Sequence, residues 1–308
     1  MRTQTFIIPT LVFLAILPTF GAAENASIEP VLLVSDGKTP TLTPQGTWII
    51  PPPGAPMRII PEDPSNIVTD ETSLDWMHQA RAEEATVAGT MAAGACVPYQ
   101  TGWYETDSAS LYGGHMGIVP QNMPPNTSNY CTGAGMGYTN GVSFGATSWI
   151  QAGLAIFPAE SSAKWFCQSN NNGAKSTSYG SANAYGNGAT VYTWFSRDSG
   201  GVWRTYRYDT GPWSVQLPCS ITRGTSGNLQ VYGEIQSASS TSAPMGPWKM
   251  FDLRYQATSG SWYVPTQVQA IYPGGTPCPP YGAGTVSSGT ITAGSGQTCS
   301  TGTRPYPN

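Results

Sequence analysis

The chain has 308 residues and a formal net charge of −4; 10% of its residues are charged, 11% are aromatic, and it carries 36 Gly and 27 Pro. With no basic cluster it is no candidate for nucleic-acid binding, and the Gly, Pro and aromatic balance favours strands joined by turns over helices. Only two histidines (His78, His115), no paired Cys spacing and no Gly-rich phosphate loop exclude a zinc enzyme and leave cofactor chemistry without support.

In chain order, residues 1–23 read as a secretory signal peptide: Arg2, the apolar run FIIPTLVFLAILPTF, then small residues at Gly21-Ala22-Ala23. The run is short and interrupted by Pro9 and Pro18, a poor membrane span. The expectation is a secreted, extracellular monomer with no membrane partner. Residues 24–94 form a leader. From Glu24 to Thr90 it holds ten acids and three bases, net −7, whereas Met91 onward holds seven acids and nine bases, net +2. It contains the proline run GTWIIPPPGAPMRIIP and one short helix-like segment, LDWMHQARAEEATVAG. It reads as a propeptide or N-terminal arm complementing the basic body, its proline run lying across an aromatic cleft, or else as a solvated leader.

Residues 95–308 read as β throughout, with a low-complexity tail from about 280. Strands are expected at Gly145–Phe157, Thr190–Arg197, Val202–Asp209, Trp213–Leu217, Leu229–Gln236, Trp248–Tyr255 and Trp262–Tyr272, separated by turn-rich stretches such as QSNNNGAKSTSYGSANAYGNG. Many strands without interleaved helices predict an all-β, antiparallel, jelly-roll-like sandwich after an irregular leader with one short helix. All six cysteines (Cys96, Cys131, Cys167, Cys219, Cys278, Cys299) lie in this region. Three disulfides are expected, with Cys278–Cys299 closing the tail and the other four pairing among themselves.

Acids and amides remain as candidates for chemistry. Glu105 and Asp107 read as surface-loop residues, Asp198 and Asp209 as turn residues, His115 as a turn or packing residue, and Asp252 as a structural partner of Arg254. In SWIQAGLAIF, alternation places Ile150, Ala152, Leu154 and Ile156 on a core face, and Trp149, Gln151, Gly153, Ala155 and Phe157 on the other. In NLQVYGEIQ, Leu229, Val231, Gly233 and Ile235 make the apolar row, with Gln230, Tyr232 and Glu234 opposite. Gln151 and Glu234 are thus both mid-strand on non-core faces beside aromatics. Tyr192 and Trp194 in TVYTWFS add walls for an extended substrate. A glutamate so placed takes a proton from water and returns it to the leaving group. A neutral amide orients that water and donates to the oxyanion. Neither metal nor cofactor is needed.

The order of these pieces resembles the glutamic peptidases of the eqolisin type and, more loosely, the neprosin peptidases. IQAG (Ile150–Gly153) precedes YTWFS (Tyr192–Ser196), and VYGEIQ (Val231–Gln236) precedes APMGPWKMFDLRY, in which Met245-Gly246 matches the neprosin pattern. The resemblance covers roughly residues 141–255. It implies a secreted endopeptidase acting in acid on a polypeptide substrate, with Gln151 and Glu234 catalytic and Trp149, Tyr192, Trp194 and Tyr232 binding substrate. Neprosins use two glutamates, and Gln151 stands in place of one. The same architecture also suits a carbohydrate-binding or glycan-hydrolysing jelly roll acting on a polysaccharide, or a structural secreted protein.

Overall fold

The computed structural model describes residues 32–69, 97–121, 136–145, 147–156, 160–181, 184–237, 246–271, 281–286, 289–297 and 303–306. The signal peptide, the helix-like segment and four of the six cysteines lie outside these residues, so the expected Cys278–Cys299 bridge does too.

Four short strands lie in the arm: β1 (Thr41–Leu42), β2 (Trp48–Ile49), β3 (Ile59–Pro61) and β4 (Ile67–Thr69). The body begins with β5 (Val97–Glu105), β6 (Leu111–Val119), β7 (Met136–Ser143), β8 (Ser148–Ile156), β9 (Lys164–Asn171) and β10 (Ala174–Gly180). It continues with β11 (Val191–Arg197), β12 (Val202–Tyr208), β13 (Ser214–Thr222), β14 (Asn228–Ser237) and β15 (Trp248–Ala257). The last strands are β16 (Trp262–Tyr263), β17 (Gln267–Ile271), β18 (Tyr281–Val286), β19 (Thr290–Ser295) and β20 (Thr303–Pro305).

The long strands make two sheets. The first runs β20-β17-β5-β14-β7-β8-β9-β10-β4, and the second runs β18-β19-β15-β6-β11-β12-β13-β3, with β16 beside β15. Pairing is antiparallel except where β3 joins β13 in parallel. This is the all-β sandwich expected from composition. The inner faces enclose Met136, Tyr138, Ile150, Leu154 and Val231 from the first sheet, against Met116, Phe195, Trp203, Leu217 and Leu253 from the second, all buried. Alternation in IQAG and VYGEIQ therefore puts the correct residues inside. Cys167 of β9 and Cys219 of β13 form a disulfide across this core, tying the sheets together. Polar contacts interrupt the apolar filling, among them a reciprocal pair: Thr193 Oγ1 donates to Asn140 Oδ1 at 2.8 Å, and Asn140 Nδ2 donates to the Thr193 carbonyl.

Several expectations need correcting. QSNNNGAKSTSYG is a hairpin, β9–β10, with its turn confined to Asn172 and Gly173, where φ is positive at both. Its polar residues run consecutively, with β9 buried up to its last residue and only the start of β10 exposed, so no alternation marks the strands. The span Trp262–Tyr272 is broken into β16 and β17, which join different sheets. The glycine-rich LYGGHMGIV is the central strand β6. Its glycines make room for rings: a Cβ on Gly114 would lie 2.5 Å from the Phe195 ring, and one on Gly117 would lie 2.4 Å from that of Phe251. Glu105 ends β5 and is buried, where a surface loop is expected from sequence. His115 sits in β6 as a packing residue.

The arm from 32 to 69 is built into the sandwich. Its β3 extends the second sheet and its β4 extends the first, beside β10. Glu62, between them, pairs with Arg207 of β12 at 2.7 Å. The proline run lies on the outward face of the second sheet. There Ile49 and Ala55 cover Trp194, Tyr206 and Tyr208, and the Ile50 carbonyl accepts from Trp262 Nε1 at 2.9 Å.

Candidate functional site

The first sheet's outward face is built by register. Gln168 of β9, Gln151 of β8, Gly141 of β7 and Gln230 of β14 are successive partners in one row. The next row in phase is Phe166, Gly153, Thr139 and Tyr232, and the next again is Lys164, Ala155, Gly137 and Glu234. Directly paired residues share a face, so Gln151, Tyr232 and Glu234 are on one surface, with Trp149 one step beyond Gln151 on β8. Their common floor is made of small residues, Gly137, Gly141, Gly153 and Ala155. At Gly141 a Cβ would lie 2.7 Å from that of Gln151, and at Gly153 one would lie 2.0 Å from the Tyr138 carbonyl oxygen. Only glycine allows this close approach of β7 and β8.

Across that floor the polar side chains meet. The Tyr232 hydroxyl donates to Gln151 Oε1 at 2.6 Å, and Gln151 Nε2 donates to Gln168 Oε1 at 2.9 Å. Glu234 is fully buried and Gln151 is 2% exposed. Lys164, at the far end of the Glu234 row, pairs with Glu160 at 2.7 Å. Glu234 stands four residues along and two strands across from Gln151. At about 3.4 Å per residue and 4.8 Å per strand their Cα atoms are roughly 17 Å apart. Their side chains stand roughly perpendicular to the sheet on the same face, so this separation narrows only as far as the two lean toward one another.

Tyr192 and Trp194 are not part of this surface. In β11 they alternate with Val191, Thr193 and Phe195, which face the core, so they point outward from the second sheet, on the opposite side of the sandwich. Trp194 stacks on Tyr206 with centroids 4.0 Å apart, and Tyr192 stacks on Tyr208 at 4.6 Å. Alternation identifies both as non-core residues but carries no information about which sheet they join. Gln168, by contrast, is hidden from sequence analysis because its strand reads as a turn. Its signal is its place next to the core-facing Cys167.

The second sheet's outward face holds its own polar group. His115 Nδ1 lies 2.9 Å from the Asp252 carbonyl oxygen and Nε2 lies 3.0 Å from the Tyr208 hydroxyl. Burial holds its pKa down at about 4, against the pull of the Asp252 carboxylate. Asp252 has φ 50° at a register shift in β15, and its carboxylate pairs with Arg254 at 2.7 Å, the structural pairing expected. Glu105 is a third buried group. Its Oε1 accepts from the Ser108 amide at 2.8 Å, while Oε2 has no hydrogen-bond partner among the described residues, and burial raises its pKa to about 7. Among the described residues no cluster of three or more His, Cys, Asp or Glu side chains is arranged to hold a metal ion. No helix among them is long and apolar enough to cross a membrane.

No family model and no curated protein sequence matches the chain. Among solved structures, the chain is similar to scytalido-glutamic peptidase crystallised with a peptide-based transition-state analogue, at 11% identity and a TM-score of 0.42, covering 65% of this chain and all of that one. It is similar to SCP-B, an eqolisin-family peptidase in complex with the tripeptide Ala-Ile-His, at 12% identity and a TM-score of 0.39, with the same coverage. A functionally unknown protein from Saccharomyces cerevisiae matches at 15% identity and a TM-score of 0.28, over 50% of this chain and 77% of that one. The likeness is distant.

Proposed function

We propose that the chain is an exported, acid-acting endopeptidase of the glutamic type, hydrolysing polypeptides with Glu234 and Gln151. The observation that carries the reading is their shared placement: a carboxyl and a hydrogen-bonded amide, both buried, on one small-floored face of one sheet. Their chemistry supports a division of roles. An oxyanion donor about 2.9 Å from the oxygen, a carbonyl, a water about 3.2 Å from the carbon and a base about 2.8 Å from that water span roughly 8 Å once attack is bent. The two side chains must therefore lean toward one another when substrate binds. Gln151 therefore belongs at the oxygen end, and Glu234 at the water end, first as base and then as acid to the leaving amine. The sequence expectation has Gln151 orienting the water as well. Glu234 is fully buried, so this reading requires that it be uncovered before substrate binds.

The test is digestion of a denatured protein at pH of roughly 3 to 5, where carboxyl groups are near their own pKa. Glu234→Gln keeps the shape and removes proton transfer, so the rate is expected to fall by at least about 10³-fold. Proteolysis is expected to survive chelators and serine-protease inhibitors. Undiminished proteolysis by Glu234→Gln sinks the reading. No proteolysis by processed wild type, together with a clear glycan-array signal, favours carbohydrate binding instead. Glycan cleavage needs two carboxylates facing one another and has less support, because Asp252 lies in β15 of the other sheet.

A further inference from the structure

We infer that Tyr232 and Gln168 are positioning residues that hold the Gln151 amide in one orientation, an inference that rests on the reading of Gln151 as oxyanion donor. A glutamine amide turns about a terminal torsion with broad, roughly two-fold preferences, so nothing intrinsic keeps its NH2 group on one side. A turned amide would present a lone pair to the developing oxyanion, which repels it. Here both ends of the group are occupied. The Tyr232 hydroxyl donates to Oε1 from β14, and Gln168 Oε1 accepts from Nε2 on β9. A donor on the oxygen and an acceptor on the nitrogen together fix which side carries the NH2 group, one of whose two N–H donors goes to Gln168.

The contact from β14 crosses β7, whose Gly141 is the direct pair of Gln151. A Cβ there would meet the Gln151 Cβ at 2.7 Å and the Ile150 carbonyl oxygen at 2.8 Å. Tyr232 is 1% exposed and Gln168 2%, so the two bonds are made away from bulk water, where geometry is held most firmly. The sequence expectation places Tyr232 in the substrate wall. Its hydroxyl instead faces a catalytic side chain, which predicts a different kinetic signature.

Tyr232→Phe removes one bond and keeps the ring. It is expected to lower kcat by roughly 10- to 100-fold, as for a slightly misplaced reacting group, with KM within about twofold. Gln168→Met, which removes the acceptor, is expected to do the same, whereas Gln168→Glu retains an acceptor and is expected to stay within about threefold of wild type. Unchanged kcat in Tyr232→Phe and Gln168→Met, a rise confined to KM, or a Gln168→Glu variant as slow as Gln168→Met overturns the inference. A readout independent of activity is hydrogen exchange of the Gln151 side-chain amide in ¹⁵N-labelled protein, assigned by its loss in Gln151→Ala. Exchange is expected to be at least about tenfold faster in Tyr232→Phe, as for a hydrogen bond released from protection; unchanged exchange removes the clamp. Glu234→Gln run in parallel separates the two failures. If it digests normally the site reading falls, and if it is inactive while Tyr232→Phe keeps wild-type kcat only the positioning role falls.

Discussion

On the outward face of the first sheet, β8, β9 and β14 carry Gln151, Gln168, Tyr232 and Glu234 over a floor of glycine and alanine. On that of the second, β11 and β12 carry Tyr192, Trp194, Tyr206 and Tyr208 beside His115 and beneath the proline-rich arm. Both faces are polar-and-aromatic rows opposite an apolar row. Yet the first holds directional groups whose positions depend on hydrogen bonds, and the second holds flat rings whose positions depend on burial. Directional groups over a floor of small residues suit chemistry. Rings packed under a strap suit stability.

Exchanging the predicted consequences between the faces would break this distinction most directly. Glu234→Gln is expected to abolish activity with little change in thermal stability. Trp194→Ala is expected to destabilise folding by about 3–5 kcal/mol while leaving kcat per folded molecule unchanged. Thermal unfolding and active-site-normalised kinetics on both variants decide it. If Trp194→Ala lowers kcat in fully folded protein, the aromatic face takes part in the reaction and the division fails.

The next effect concerns the arm. If the chain is nicked between Thr69 and Val97, residues 32–69 are expected to stay bound through size exclusion, held by β3, β4 and the Glu62–Arg207 pair. Processing would then leave a two-chain protein, with the proline run still on the second sheet. Dissociation of the fragment under native conditions would show that the arm is a detachable cover.

A smaller effect appears in the pH dependence of stability. The folded Glu105 carboxyl titrates near 7, above its ordinary value of 4.5. Its contribution is therefore complete below about 4.5 and is lost as pH rises through about 7. Folded His115 titrates near 4, below its ordinary 6.5. Its contribution is complete above about 6.5 and is lost as pH falls towards 4. Between pH 4.5 and 6.5 the two slopes oppose one another. Glu105→Gln is expected to remove one of them, so that stability rises from pH 5 to 7 relative to wild type by about 1–2 kcal/mol, a value discounted for residual screening at the strand end. Parallel denaturation curves for the two proteins across that range would refute the assignment. Smallest is Arg254→Met. Its pair with Asp252 is over a quarter exposed, and the loss is expected to stay below about 1 kcal/mol in chemical denaturation.

The limits of sequence reading follow from what alternation encodes. A period of two separates the faces of a strand, so Ile150 and Leu154 are assigned inward and Gln151 and Glu234 outward without a structure. It does not say which sheet a strand joins, and so Tyr192 and Trp194 are grouped with residues on the far side of the molecule. Register is likewise set by long-range pairing. The offset of four residues between Gln151 and Glu234 emerges only once β7 lies between their strands. Strands with few β-branched residues, such as the glycine-rich β6 and the polar β9, escape sequence analysis because their strand character comes from neighbours rather than from propensity.

The arm has one more consequence, for life in crowded solution. A sheet edge offers unpaired amides and carbonyls to any other chain that presents the same, and long sandwiches are vulnerable to such end-to-end joining. Here β13 and β10 would each be a terminal strand on the same flank, and β3 and β4 occupy both positions with only three residues apiece. Short caps leave little template for a second molecule. Loss of this segment would uncover two long strands side by side, and solubility would then depend steeply on concentration.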